Sequence, residues 1–238
     1  PKFFHPDPTV KRQSGFLMPT FQTSPNKNTF FSVPYFKVIS ENKDTTFTPR
    51  FYDKDKLLLQ NEFRVVNKNS KLHTDFSFLA NKKKESHLFL NFDKDLNLNN
   101  FDKTDISFKL QQTSNDTYIK ANKLTSSIIN NYDMLENSLN LKISSKNTSI
   151  FSELIVFENL NKENNDKYEY ILPRLEIIKN ISDKSNLNGD LKIKSNNFIH
   201  NYNTNIFERV NSNDLIFNSS PKINKNGFVS NYEFIIKN

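Results

Sequence analysis

Apolar and polar side chains alternate with a period of two along most of this chain. Leu139, Leu141 and Ile143 interleave with Asn140, Lys142 and Ser144, and Ile106, Phe108 and Leu110 interleave with Ser107, Lys109 and Gln111. Leu191 and Ile193 alternate with Lys192 and Lys194, while Thr45, Phe47, Pro49 and Phe51 lie opposite Thr46, Thr48, Arg50 and Tyr52. Successive side chains of a strand point to opposite faces, so each window has one apolar and one polar face. A helix needs apolar spacings of three and four, which these windows lack. The pattern predicts strands over 29–39, 44–52, 57–66, 71–79, 86–92, 104–112, 134–145, 149–158, 168–178, 188–196, 198–209 and 227–237. Clusters such as Glu41-Asn42-Lys43-Asp44, Asn67-Lys68-Asn69-Ser70 and Asn161 to Asp166 mark turns between them. Thr117 to Asp133 fits neither period and reads as a long loop with room for one helical turn.

Proline sets the one clear boundary. Seven of the nine prolines fall within the first 49 residues, leaving Pro173 and Pro221 beyond. Residues 1–28 therefore read as a rigid, turn-rich opening segment and residues 29–238 as strands. A dozen antiparallel strands with almost no helix have two stable solutions. A soluble sandwich packs the apolar faces together in a dry core. A membrane barrel turns them to lipid and keeps the polar faces in a wet lumen. Strands of about 9–11 residues, with partners rich in Lys, Asn and Ser, favour the barrel. Phe and Tyr near strand ends suit interfacial girdles, although the chain has no Trp.

Composition narrows the chemistry. With no Cys there is no disulfide framework, thiolate zinc site or thiol nucleophile. Gly15, Gly189 and Gly227 stand far apart, which removes glycine-rich phosphate loops and the G-x-S-x-G elbow. The formal charge of +7 arises from 33 Lys and Arg against 26 Asp and Glu. Lys, Asn, Phe and Ile rise together, as an AT-rich coding sequence produces whatever the fold. The five arginines are scattered rather than set in one stripe, and the densest basic run, Lys82-Lys83-Lys84, lies between two apolar segments and reads as a solvated turn, a phosphate patch being the alternative. No apolar run reaches the roughly 18 residues of a membrane helix. The first residue is Pro1, and the last eight read as a strand in progress, so the chain is expected to be an excerpt of a longer protein.

The opening segment is more specific. His5-Pro6-Asp7-Pro8-Thr9-Val10-Lys11-Arg12-Gln13-Ser14-Gly15-Phe16-Leu17-Met18-Pro19 resembles the junction of the LPS-assembly outer-membrane protein family, LptD (OstA/Imp). The resemblance continues in Val33-Pro34-Tyr35-Phe36, Thr46-Phe47-Thr48-Pro49-Arg50 and Leu59-Gln60-Asn61-Glu62-Phe63-Arg64. Weaker echoes are Tyr170-Ile171-Leu172-Pro173-Arg174 and Asn213-Asp214-Leu215, so the first 80 residues carry most of it. The resemblance implies an all-β antiparallel meander that forms part of a large transmembrane outer-membrane β-barrel in a Gram-negative bacterium. Residues 1–28 would end a periplasmic jellyroll, and residues 29–238 would be the N-terminal portion of the barrel. The implied partners are lipopolysaccharide, outer-membrane lipid, an LptE-like lipoprotein in the lumen, and an LptA-like jellyroll bridge reached through an N-terminal domain outside this sequence; nucleic acid and cofactors are not implied. Lipopolysaccharide would enter the outer leaflet through a seam between the first and last strands. Lacking Cys, the chain departs from familiar members, and disulfide control of assembly is not readable from it.

Two groups of residues follow from this resemblance. Pro34 and Pro49 lie inside the first two predicted strands, where proline has no N–H for the ladder, and they are expected at the lateral gate. A pair of β-bulges that merely shape the sheet is the other reading. Lys11, Arg12, Ser14, Gly15, Phe16, Leu17 and Pro19 form the junction motif. Gly15 offers backbone angles closed to other residues and Pro19 stops strand pairing, so a hinge is expected here, an ordinary strand-to-loop exit being the alternative.

Other chemistry is sparse. His5, His73, His87 and His200 show no metal-binding spacing and read as isolated polar positions. Asp53, Asp55, Asp93 and Asp95 form Asp-x-Asp pairs that suit a divalent cation but suit turns better. Ser, His and Asp are plentiful, yet nothing places them together as a triad. Three function classes follow: a non-enzymatic lipid-translocating barrel, a soluble or surface β-sandwich or jellyroll binding module, and a membrane-barrel enzyme. The third needs a Ser, His and Asp constellation on one face.

Overall fold

An alternating strand is stable only when both its edges find hydrogen-bond partners, and this chain supplies them in sequence order. The computed structural model describes residues 12–23, 29–52, 56–80, 85–182 and 188–238. His5, Lys11, Asp53, Asp55 and Lys82 to Lys84 lie outside them. The described residues fall into two compact units, one reaching to Phe92 and including Leu110–Tyr132, the other formed by Asp93–Lys109 and Asp133–Asn238. In both, the architecture is all-β and antiparallel, a meander as the alternation predicts. No helix among these residues is long and apolar enough to cross a membrane.

The first unit begins with two short strands, β1 (Gly15–Phe16) and β2 (Thr20–Gln22). They are followed by β3 (Phe30–Ser32), β4 (Tyr35–Ser40), β5 (Lys43–Tyr52), β6 (Lys56–Val66), β7 (Ser70–Ala80) and β8 (Glu85–Asp95). Strands β5 to β8 have 10 or 11 residues, the length at which a tilted strand crosses a hydrocarbon layer, about 9–11. Their two faces differ sharply. Phe47 and Phe51 on β5 and Phe76 and Phe78 on β7 stand exposed on the outer face. The inner face carries Arg50, Leu58, Gln60, Asp75, Ser77, Leu79, His87 and Phe89, all buried. What buries them is the chain after β9 (Lys103–Thr113), where a single helical turn, α1 (Tyr118–Ala121), opens a strap running to Tyr132. The strap adds buried Ile119, Leu124, Ile128 and Ile129. Each such side chain removed from water contributes about 1.5–3 kcal/mol, which is why a segment without regular structure holds its place.

The second unit takes β9 onward through β10 (Met134–Ser144), β11 (Thr148–Asn159), β12 (Tyr168–Ser182), β13 (Gly189–Asn201) and β14 (Phe207–Ser219). A small hairpin, β15 (Lys222–Ile223) with β16 (Val229–Ser230), precedes β17 (Glu233–Lys237), which pairs with β14. Leu139, Leu141 and Ile143 share one face with Phe108 and Ile106 of β9 and with Leu154 and Ile150 of β11. Leu139 keeps 40% of its surface exposed, whereas a closed two-sheet core would bury it.

Two expectations are corrected here. The predicted strand 188–196 and the start of 198–209 form one strand, β13, while the rest of 198–209 is a turn and the beginning of β14, which runs on to Ser219. The turn lies at 202–206, where Asn205 takes a φ of 60°. The alternation misled because Ser195, Asn197, Asn211 and Asn213 continue the face that Leu191, Ile193, Leu215 and Phe217 begin, joined by hydrogen bonds of 2.7–2.9 Å. Gly15 needs no special backbone angle either. It lies in a strand opposite Phe36, and an added Cβ would meet nothing within 4 Å.

Gly189 is different. A Cβ there would stand 2.4 Å from the Asn218 carbonyl oxygen and 2.5 Å from the Phe217 ring. Gly189→Ala is therefore expected to destabilise the β13–β14 pair by about 1–3 kcal/mol through overpacking, while Gly15→Ala changes little. Melting of the folded form, read by heat-modifiable migration in the full-length protein, compares the two; equal midpoints would refute the clash.

Candidate functional site

Strands β3 and β4 are one strand interrupted. Ser32 pairs with Arg50 and Tyr35 with Phe47, so the register continues across the gap and puts Val33 opposite Pro49 and Pro34 opposite Thr48. The Pro34 carbonyl accepts a 2.8 Å hydrogen bond from Leu17 N–H, so that residue's backbone edge faces β1. In an antiparallel strand the next residue faces the other way, and Val33 therefore presents its carbonyl to Pro49, which has no N–H to return. The two prolines act on adjacent rungs: Pro49 removes a bond between the first two long strands, and Pro34 removes a donor from the outer edge of the first.

The junction motif lies along that same edge. Gly15 and Phe16 pair with Phe36 and Tyr35, the Phe16 and Tyr35 rings meet edge to face at 5.0 Å, and Ser14 Oγ accepts from Val38 N–H at 2.9 Å. Pairing stops at Leu17–Pro19 and resumes when β2 joins β3. Arg12 and Arg64 both hold the buried carboxylate of Asp44, the latter at 2.6 Å. The structure thus brings together Arg12, Ser14, Gly15, Phe16, Leu17 and Pro34, which the sequence assigned to two separate roles.

Behind the prolines the strap is tied down by polar groups of the inner face. Arg50 donates from Nη1 to the carbonyls of Asn122 and Lys123 at 3.2 and 3.1 Å, and from Nη2 to Gln60 Oε1 at 3.2 Å. Tyr52 donates to the Asn122 carbonyl at 3.1 Å and Lys56 to its side-chain oxygen at 2.9 Å. Gln60 Nε2 reaches both Asp75 oxygens, at 3.0 and 3.1 Å, and the Thr125 carbonyl at 3.0 Å. A loop packed against a sheet carries backbone carbonyls that water no longer reaches. These side chains satisfy them, and that is how a polar strand face seats a loop.

The network ends in Asp75, His87, Ser77 and Tyr118. Ser77 Oγ lies 2.6 Å from His87 Nδ1 and 2.7 Å from the Tyr118 hydroxyl. His87 Nε2 is 3.3 Å from Asp75 Oδ1, within ion-pair range but off hydrogen-bond geometry. These are the residue types of a hydrolytic triad, brought together by the register of β7 and β8 and by the strap rather than by any motif. The arrangement is a brace rather than an exposed nucleophile. Ser77 Oγ is held between two partners, Asp75 is fully buried, and Tyr118 covers the hydroxyl that a substrate would have to reach.

Burial pushes the Tyr118 phenol from its ordinary 10.0 up to about 12, against the opposing hydrogen bond of Ser77. The folded state favours the neutral phenol, so the contribution is fully present below about pH 10 and is lost as pH rises through about 12. Ultraviolet titration of tyrosinate is expected to show one late step at the upper value that disappears in Tyr118→Phe. A late step of unchanged size in that variant would refute the assignment.

The remaining residues singled out in the sequence serve local structure. His200 Nε2 lies 2.7 Å from Glu169 Oε1, and His73 Nε2 lies 3.3 Å from Ser127 Oγ. Asp95 accepts from Asn97 N–H at 2.9 Å in an Asx turn, the bland reading of that pair. No group of three or more His, Asp or Glu suited to a metal occurs among the described residues. The brace itself went unseen, although one signal was available. Asp75, Ser77 and Leu79 alternate with Thr74, Phe76 and Phe78, and His87 alternates with Ser86 and Leu88, so the inward positions of neighbouring strands were countable.

No protein-family model matches the chain. It is 32% identical over 85 residues to the LPS-assembly protein LptD of Pseudomonas entomophila, a match covering 36% of this chain and 9% of that protein. It is 49% identical over 55 residues to the LPS-assembly protein LptD of Chromobacterium violaceum, covering 23% of this chain and 7% of that one. The LptD of Pseudomonas fluorescens is 40% identical over 60 residues, 25% of this chain and 6% of its own length. The matched stretch thus spans less than a tenth of these relatives. Stretches of 55 to 85 residues of this chain are thus shared with LPS-assembly proteins of two bacterial genera, and it is to a segment of the LptD family that this chain is similar.

Proposed function

We propose that this chain is a wall segment of an outer-membrane barrel that takes part in lipopolysaccharide assembly, and that lipopolysaccharide reaches the outer leaflet through a seam beside β3 and β4. The observation that carries the reading is the interrupted first strand: Pro34 removes a donor from its outer edge, which only the short β1 and β2 cover, and Pro49 removes a bond from the rung behind it. The outer face, with exposed Phe47, Phe51, Phe76 and Phe78, suits lipid, whereas a sandwich would cover it. In this reading residues up to about 28 end a periplasmic jellyroll fed by an LptA-like bridge, and an LptE-like lipoprotein sits in the lumen. The work is transport, with no bond made or broken.

The test places a photo-crosslinking amino acid at Val33 or Tyr35, which share the outer face with Phe47, in the full-length protein in cells. Lipopolysaccharide is expected to be captured there and not at Phe108 or Leu139, on β9 and β10 of the second unit. Equal capture at all four positions would overturn the seam.

A further inference from the structure

On the face of the second unit that carries Leu139, Leu141 and Ile143, side chains run in rows across the strands. One row is Leu141, Ser152, Leu175, Asn197 and Asn211, and the next is Ile143, Ile150, Ile177, Ser195 and Asn213. Both rows are mainly apolar on β10 to β12 and wholly polar on β13 and β14. Along these two strands the polar island is bounded by Ile193 and Leu215 on one side and by Ile199, opposite Arg209, on the other.

In a barrel this face meets hydrocarbon, where a side-chain amide finds no water. The island's own bonds do not exhaust it. Asn197 Nδ2 donates to Ser195 Oγ at 2.9 Å, Ser195 Oγ donates to Asn213 Oδ1 at 2.7 Å, and Asn213 Nδ2 donates to Asn211 Oδ1 at 2.7 Å. This run of bonds has a direction. It leaves an acceptor at one end, the Asn197 side-chain oxygen, and a donor at the other, the Asn211 amide nitrogen, neither with a hydrogen-bond partner among the described residues. Polar side chains at membrane depth are normally covered by protein rather than lipid. A dent of about 110 Å³ beside Asn197 and Asn211, reaching Pro173, leaves room for a side chain from such a cover.

We infer that the island is the contact surface between two copies of this protein, packed wall to wall in the membrane. Two barrels inserted the same way are related by a two-fold axis along the membrane normal, which keeps each residue at its own depth and exchanges left for right. Asn197 and Asn211 face each other across one rung, at nearly the same depth. The axis therefore sets the Asn197 acceptor of each copy against the Asn211 donor of the other. Ser195 and Asn213 form the neighbouring rung and meet under the same exchange. No charge has to be buried, because Arg209 is exposed near the start of β14, where a long side chain reaches the membrane surface. The inference needs this face to be a barrel's outer wall and is independent of the seam.

The experiment uses the full-length protein in cells, expressed as two copies with different tags, with a photo-crosslinking amino acid in place of Leu215, beside the island. Leu139, on the same face, and Lys194, on the opposite face, are the control positions. A product holding both tags is expected from Leu215 and from neither control. Asn197→Leu combined with Asn211→Leu is expected to cut its yield about tenfold, the loss of two amide bonds of the strength found within membranes. Folded monomer, read by heat-modifiable migration, should stay at its normal level in that variant. Capture of a foreign protein or of lipid alone at Leu215, or an undiminished yield in the double variant, would overturn the contact and leave the barrel wall standing. Loss of folded monomer in the double variant would overturn it too, since the amides would then serve the wall itself. If the two-tag product forms at Lys194 instead of Leu215, the outer-wall reading of this face fails along with the contact.

Discussion

Removing the Asp75 carboxylate is expected to open the strap. Asp75 accepts two hydrogen bonds from Gln60 and faces the His87 ring, with none of its surface exposed. Asp75→Ala leaves the Gln60 amide with only the Thr125 carbonyl and leaves His87 Nε2 facing a void. Truncating one member of a buried charged network costs about 3–5 kcal/mol. That loss falls on local opening of the strap, because the strands have their own ladders to hold them. Trypsin cleavage after Lys120 or Lys123 should then accelerate on the order of a hundredfold or more, as that free energy converts. Asp75→Asn keeps the acceptor for Gln60 and should lie much closer to the wild type. Phe76→Ala, one residue away on the outer face, should leave the cleavage rate as it is. If Asp75→Ala and Phe76→Ala cleave alike, the network does not hold the strap.

The second large effect concerns the prolines. Pro49→Ala supplies the N–H that the Val33 carbonyl lacks, and Pro34→Ala supplies one toward the edge occupied by β1. Each restored bond contributes about 0.5–1.5 kcal/mol net, and more where no water competes. The double variant should therefore tighten the first strand and its outer edge and slow lipopolysaccharide delivery, seen as greater sensitivity to large hydrophobic antibiotics. Pro49→Ala alone repairs the rung between the first two long strands, whereas Pro34→Ala alone changes only the edge. A gate at the edge thus predicts that Pro34→Ala carries most of the phenotype. Unchanged permeability in the double variant, at normal barrel levels, would remove the gate assignment without touching the fold.

Much of this architecture was legible in the order of residues alone. Strand character follows from a period of two, which is a property of neighbouring residues, so β5 to β11 lie close to where the alternation predicted them. The motifs around Gly15, Pro34 and Pro49 are likewise local strings, and their resemblance to an LPS-assembly family needed no coordinates. Where the period failed, it did so for a physical reason: Ser195, Asn197, Asn211 and Asn213 occupy a face begun by leucine, isoleucine and phenylalanine, and Asn serves strand and turn alike. Three features were decided only by tertiary structure. Val33 meets Pro49 because of a cross-strand register, which no single strand encodes. The junction covers the first strand's edge because a short strand found an unpaired row of amides and carbonyls. The strap lies on Arg50 and Gln60, with Asp75 holding Gln60, because residues 65 to 73 positions apart in sequence supply the carbonyls and the side chains that satisfy them. Local pattern fixes which way each side chain points, but which groups then meet depends on registers and loop paths set by the packing of the whole.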